Sequence, residues 1–129
     1  MHIEHIAIYC ADLEKMKDFY VTYFGGKAGE KYHNPVKKFT SYFISFSGGC
    51  RLELMHKPHL ADNMNELLDE YRGLVHFAIS VGSKEQVDAL TERLRQDGYA
   101  VKGEPRTTGD GYYESVVADP EYNRIEITE

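Results

Sequence analysis

Two residue pairs in this chain combine metal-binding types with a spacing that repeats. His5 returns as His76, 71 positions on, within His5-Ile6-Ala7-Ile8 and His76-Phe77-Ala78-Ile79. Glu53 returns as Glu126, 73 positions on, within Arg51-Leu52-Glu53-Leu54 and Arg124-Ile125-Glu126-Ile127. Two imidazoles and two carboxylates form a nitrogen and oxygen ligand set for one divalent ion, with no basis for choosing among Ni, Co, Zn, Fe and Mn. A single strand histidine is more often satisfied by an ordinary hydrogen bond. A glutamate in an apolar strand is harder to dismiss, because burying an unpaired carboxylate costs several kcal/mol that a metal offsets. Arg51 and Arg124 offer salt bridges instead, but that alternative explains the glutamates and not the recurring histidines.

The elements that must position these side chains follow from residue parity and helical spacing. On the first strand His5, Ala7 and Tyr9 share one face and Ile6, Ile8 and Cys10 the other. The strands of Glu53, His76 and Glu126 divide in the same way. The apolar faces must pack on amphipathic helices, which assigns each His and Glu to the opposite, concave face. Asp12 to Phe24 carries Leu13, Met16, Phe19, Tyr20, Tyr23 and Phe24 at helical spacing, with Asp12 as N-cap and Gly25-Gly26 as stop. Ser83 and Gln86 form a capping box ahead of Val87, Leu90 and Leu94, and Gly98 ends that helix.

Strand-like runs then cover Phe39 to Phe46 and Tyr112 to Asp119, with short strands near Lys27 to Tyr32 and Tyr99 to Glu104. Turns at Ser47-Gly48-Gly49 and Asp119 to Asn123 lead into the two Glu-bearing strands. The chain is therefore expected to be a single α+β domain of two tandem βαβββ modules, about 1–60 and about 73–129. A connecting helix over about 61–72 carries Met64, Leu67, Leu68 and Tyr71. The loops 32–38 and 105–111 carry no readable motif; Gly109, Asp110 and Gly111 suit a tight turn better than a mobile flap.

Composition narrows the function classes. With 129 residues and 42% hydrophobic content the chain builds a core without disulfides, so Cys10 and Cys50 read as buried free thiols in a reducing compartment. A formal charge of −6, with basic residues spread out, argues against nucleic acid as a partner. No apolar run is long enough for a membrane span and the first residues lack signal-peptide character, so the expected location is the cytoplasm.

The segment H-x-A-I-x-x-x-D-L-x-x-x-x-x-F-Y at His5 to Tyr20, with the later L-E-L, V-H-F-A-I and D-P-x-x-N-R-I-E-I segments, resembles the vicinal oxygen chelate superfamily, and most of all its glyoxalase I-like proteins. The resemblance implies a cupped mixed sheet around the metal with helices on its outer face, often completed across a homodimer. It carries the ligand roles onto His5, Glu53, His76 and Glu126. It also implies a metal-dependent, lactoylglutathione lyase-like activity on a small carbonyl-derived substrate of hemithioacetal type through an enediolate, with Glu126 as first choice of base and Glu53 as its partner.

Glutathione-using members resemble one another in an Arg four residues after the first ligand and an Asn four residues after the second. Here those positions are Tyr9 and Lys57, so a thiol cofactor does not follow, although Tyr9, Lys57 and Arg106 remain substrate-binding candidates and His56 and His59 lie in bordering segments. Other members of the superfamily supply competing readings: a metal-free drug-sequestering module like the bleomycin resistance proteins, an epimerase, a thiol transferase or a ring-cleaving dioxygenase.

Overall fold

Alternating apolar residues give each half of the chain a sheet with one face to bury, and each half contains one helix to bury it against. In the computed structural model, which describes residues 1–65 and 70–129, these halves form two compact units, Met1–Asp62 and Asn63–Glu129. The first unit contains β1 (His5–Tyr9), α1 (Leu13–Phe24), β2 (Lys27–Ala28), β3 (Tyr32–Asn34), β4 (Phe39–Ser45) and β5 (Arg51–His56). Strand order is β1-β5-β4-β2, with β3 also paired to β4. Only the β1–β5 pairing is parallel.

Helix α1 begins where expected. The Asp12 carboxylate accepts the Lys15 backbone N–H at 3.0 Å, and the helix closes at Gly25, whose φ of 63° a Cβ would disfavour. Its buried face, Leu13, Met16, Phe19 and Tyr20, packs on β4 and β5, where Ile44, Leu52 and Leu54 are also buried. Each such side chain contributes about 1.5–3 kcal/mol relative to exposure. A Cβ on Gly26 would lie 2.5 Å from the Ile44 side chain, so the absence of a side chain there is what lets the chain leave the helix so close to the sheet.

The second unit repeats the plan with β6 (His76–Ser80), α2 (Lys84–Gln96), β7 (Val101–Thr107), β8 (Tyr113–Ala118) and β9 (Arg124–Thr128), in the order β6-β9-β8-β7 and with β6 parallel to β9. Ser83 caps α2 by accepting the Gln86 N–H at 3.3 Å. Val87, Thr91 and Leu94 are buried, and the Thr91 hydroxyl bonds that of Ser115 on β8 at 2.7 Å. Leu90 is only half-buried, so Thr91 takes the third inward position that spacing assigns to Leu90.

Four details differ from the sequence expectations. The strand expected over Lys27 to Tyr32 is two short pieces, β2 and β3, with Gly29 bonding the Phe43 carbonyl at 2.9 Å between them. Strand β7 runs on to Thr107 through Pro105, which an edge strand tolerates, and its pairing with β8 shifts register twice. Residues 105–107 are thus strand, and 108–111 form a tight turn in which Gly111 bonds the Thr108 carbonyl at 3.0 Å. Cys10 is buried, but Cys50 is only half-buried; neither is in a disulfide.

The connecting helix expected over about 61–72 centres on 66–69, outside the described residues; 61–64 and 70–71 carry no helix. Asn63 and Asn65 explain why the second unit begins there. They bond the Glu121 carbonyl and, at 2.9 Å, the Tyr122 carbonyl, tying the segment to the turn before β9. No described helix is long and apolar enough to cross a membrane.

Candidate metal centre

Parallel pairing fixes where each histidine stands against its glutamate. In the first unit His5 lies opposite Arg51 and Ala7 opposite Glu53; in the second, His76 lies opposite Arg124 and Ala78 opposite Glu126. Each His and Glu are therefore diagonal neighbours on adjacent strands, and the small Ala beside each Glu leaves room for the carboxylate to lean toward the ring. Burial follows the same parity. Leu52, Leu54, Ile125 and Ile127 are buried on the helix side, while the His and Glu faces stay partly open.

In both units the imidazole Nε2 faces the glutamate. His5 Nε2 lies 3.9 Å from Glu53 Oε2, and His76 Nε2 lies 3.2 Å from Glu126 Oε1. Two ligands about 2.1 Å from one ion, at tetrahedral or octahedral angles, stand about 3.0–3.4 Å apart. The second pair already has that spacing, and the first needs to close by roughly half an ångström. Donor type and spacing thus fit two half-sites for a divalent ion. Among the described residues no group of three or more His, Cys, Asp or Glu side chains is close enough together to hold an ion.

The surroundings of the pairs differ. Glu126 shares its face with Glu114 and Val116 of β8, which stand opposite Thr128 and Glu126. Burial raises the Glu126 pKa above the usual carboxylate value; His76 and Arg106 oppose that rise, and Glu114 and Asp110 add to it. Around His5 the Glu4 carboxylate accepts from Nδ1 at 2.5 Å and also pairs with Arg51. Those bonds, the His5 bond foremost, hold Glu4 below its usual pKa. The Arg51 guanidinium lies 4.1 Å over the Phe43 ring, whose centroid is 5.4 Å from that of His5 in an edge-on contact. The salt bridge that sequence offered between Arg51 and Glu53 is thus made with Glu4.

Of the substrate-binding candidates, Tyr9 lies on the His5 face of β1 and is exposed. Arg106 on β7 reaches Glu114 at 3.5 Å and contributes to the field at Glu126. Lys57 follows β5 and is half-buried. His56 is engaged elsewhere, its Nδ1 2.8 Å from the Cys10 carbonyl, and His59 occupies an exposed turn position with φ 65°. Sequence reading missed Glu4, Phe43 and Glu114. Glu4 alone left a signal, a carboxylate where the second module has Val75.

Comparison with known proteins agrees with this architecture. The model of the Glyoxalase/Bleomycin resistance protein/Dioxygenase superfamily matches residues 2–127. The uncharacterized protein YwkD of Bacillus subtilis (strain 168) is 31% identical over 106 residues, 82% of this chain and 77% of YwkD. YqjT of the same organism is 29% identical over 133 aligned positions, 97% of this chain and 96% of YqjT. Among solved structures, the trypanothione-dependent glyoxalase I of Leishmania major superimposes with a TM-score of 0.77 at 23% identity, covering 100% of this chain and 86% of that one. Glyoxalase I of Zea mays gives 0.77 at 24% identity over 98% of this chain, which spans only 43% of the maize chain. At such identities the likeness shows the fold alone.

Proposed function

Because the chain belongs to the Glyoxalase/Bleomycin resistance protein/Dioxygenase superfamily, we propose that it is a metal-dependent lyase or isomerase of glyoxalase I type, acting on a small hemithioacetal-like substrate. The observation that carries this reading is the repeated His–Glu pair, with the same strand register in both modules and donor separations of 3.9 and 3.2 Å. His5 with Glu53, and His76 with Glu126, would each supply two donors to a divalent ion, and that ion would supply Lewis acidity toward neighbouring substrate oxygens. Glu126 would take a proton from one substrate carbon and return it to the next, a task helped by burial that eases its protonation. Tyr9, Lys57 and Arg106 would orient the substrate.

The test is metal analysis of the purified protein, followed by a panel of hemithioacetals made with different thiols. Close to one equivalent of divalent metal per chain is expected, with sharp loss in the His5→Ala/His76→Ala double variant and an intact fold, because both cores lie on the opposite strand faces. Full metal retention in that double variant sinks the site. A wild-type protein that binds aromatic drugs but no metal would favour the sequestering module instead.

A further inference from the structure

The two modules repeat their His–Glu pairs but not what lies behind the histidines. In the first module Glu4, Arg51 and Phe43 enclose the back of His5. Glu4 precedes β1 and accepts the Nδ1–H hydrogen bond at 2.5 Å, while Nε2 on the far side of the ring faces Glu53. Arg51 holds Glu4 from the neighbouring strand, where its backbone N–H also bonds the Glu4 carbonyl at 3.0 Å. Phe43 supports both the guanidinium and the imidazole edge. In the second module the matching positions are Val75, Arg124 and Val116, so neither the carboxylate nor the ring recurs.

A neutral imidazole carries one proton, and the bond made by one nitrogen decides which nitrogen keeps a free lone pair. A carboxylate at Nδ1 fixes the proton there, leaves Nε2 as the donor, locks the ring orientation and raises the basicity of the ligand. We infer that Glu4, held by Arg51, is the positioning residue that fixes the tautomer and direction of His5, making His5 the pre-organised metal ligand of the chain. This rests on the metal site proposed above. It gives the first module a histidine whose ring is held from behind by Glu4, a support that Val75 does not give His76.

The experiment has two arms on the full chain. Imidazole nitrogen NMR of the metal-free protein is expected to show His5 protonated at Nδ1 in the wild type and shifted toward the other tautomer in Glu4→Leu, with Glu4→Gln between. Zinc affinity, measured by competition with a chromophoric chelator, is expected to weaken about tenfold or more in Glu4→Leu. Glu30→Gln, which removes a charge elsewhere, should stay within about twofold of wild type, since distant exposed charges are largely screened. Zinc binding by Glu4→Leu as tight as wild type overturns the inference, and so does weaker binding with an unchanged His5 tautomer. If the wild type binds neither zinc nor nickel, cobalt, iron or manganese, the proposed function fails. The NMR arm then decides the Glu4 role alone: loss of the Nδ1 proton in Glu4→Leu supports it, and an unchanged tautomer overturns it.

Discussion

Glu53 and Glu126 occupy repeated positions but face different neighbours. Across the strand Glu53 meets Phe43, whereas Glu126 meets Val116 one step along from Glu114, and it lies within the fields of Arg106 and Asp110. A buried carboxylate among other acids takes up a proton more readily than an exposed one, which suits the proton transfer proposed for Glu126. Two neutral imidazoles and two carboxylates would also balance a divalent ion, so protonating one carboxylate would offset negative charge on a bound substrate. On this basis Glu126→Gln is expected to keep an oxygen donor and much of the bound metal while lowering turnover about a hundredfold or more. Bound metal and rate are to be measured on the same preparation. Near-normal turnover would refute the role, and equal losses in Glu53→Gln would make the base a shared one.

Each helix is latched to its sheet by a tyrosine and an acid. Tyr42 on β4 donates to Glu14 of α1 at 3.1 Å, and Tyr113 on β8 donates to Asp88 of α2 at 2.8 Å. The Lys31 ammonium at 2.8 Å, followed by Lys17 and Tyr42, lowers the Glu14 pKa to about 2. A depressed carboxylate stabilises the fold above its unfolded pKa near 4.3, and that contribution fades as pH falls from there toward about 2. Half-exposed and screened, the cluster is worth about 0.5–1 kcal/mol. Urea unfolding should therefore find Glu14→Gln less stable by that amount at pH 7, with the difference closing as pH falls through about 2, and closer to wild type in high salt. These latches were invisible in sequence because they join residues far apart along the chain. The helices, the four strands that carry His5, Glu53, His76 and Glu126, and their faces were legible, since period and repeat determine them. The break between β2 and β3, the bulged course of β7 past Pro105 and the Glu4–Arg51–Phe43 cluster were not, because they depend on cross-strand register.

Strand order puts the histidine strands at the ends of their sheets: β1 ends the first and β6 the second. The opposite end of the second sheet, β7, is protected by Pro105 and two register shifts, devices that blunt an edge. Neither His-Ile-Ala-Ile-Tyr in β1 nor His-Phe-Ala-Ile-Ser in β6 contains proline, lysine or a bulge. Two residues before each histidine, Ile3 and Leu74 occupy matching positions in the repeat and are 69% and 62% exposed, more than large aliphatic side chains normally remain. Unblunted edges with apolar residues at their entry call for cover, and a second copy of the chain is the partner always present. A homodimer is therefore expected by sedimentation at micromolar concentration, whereas monomer alone would count against it. Removing an aliphatic side chain from an interface costs about 1.5–3 kcal/mol, roughly tenfold or more in affinity per site. The Ile3→Lys/Leu74→Lys variant should thus dissociate to monomer at concentrations where the wild type stays paired, with its helical content unchanged because neither side chain belongs to a core. A dimer of undiminished affinity in that variant would move the interface away from the histidine strands.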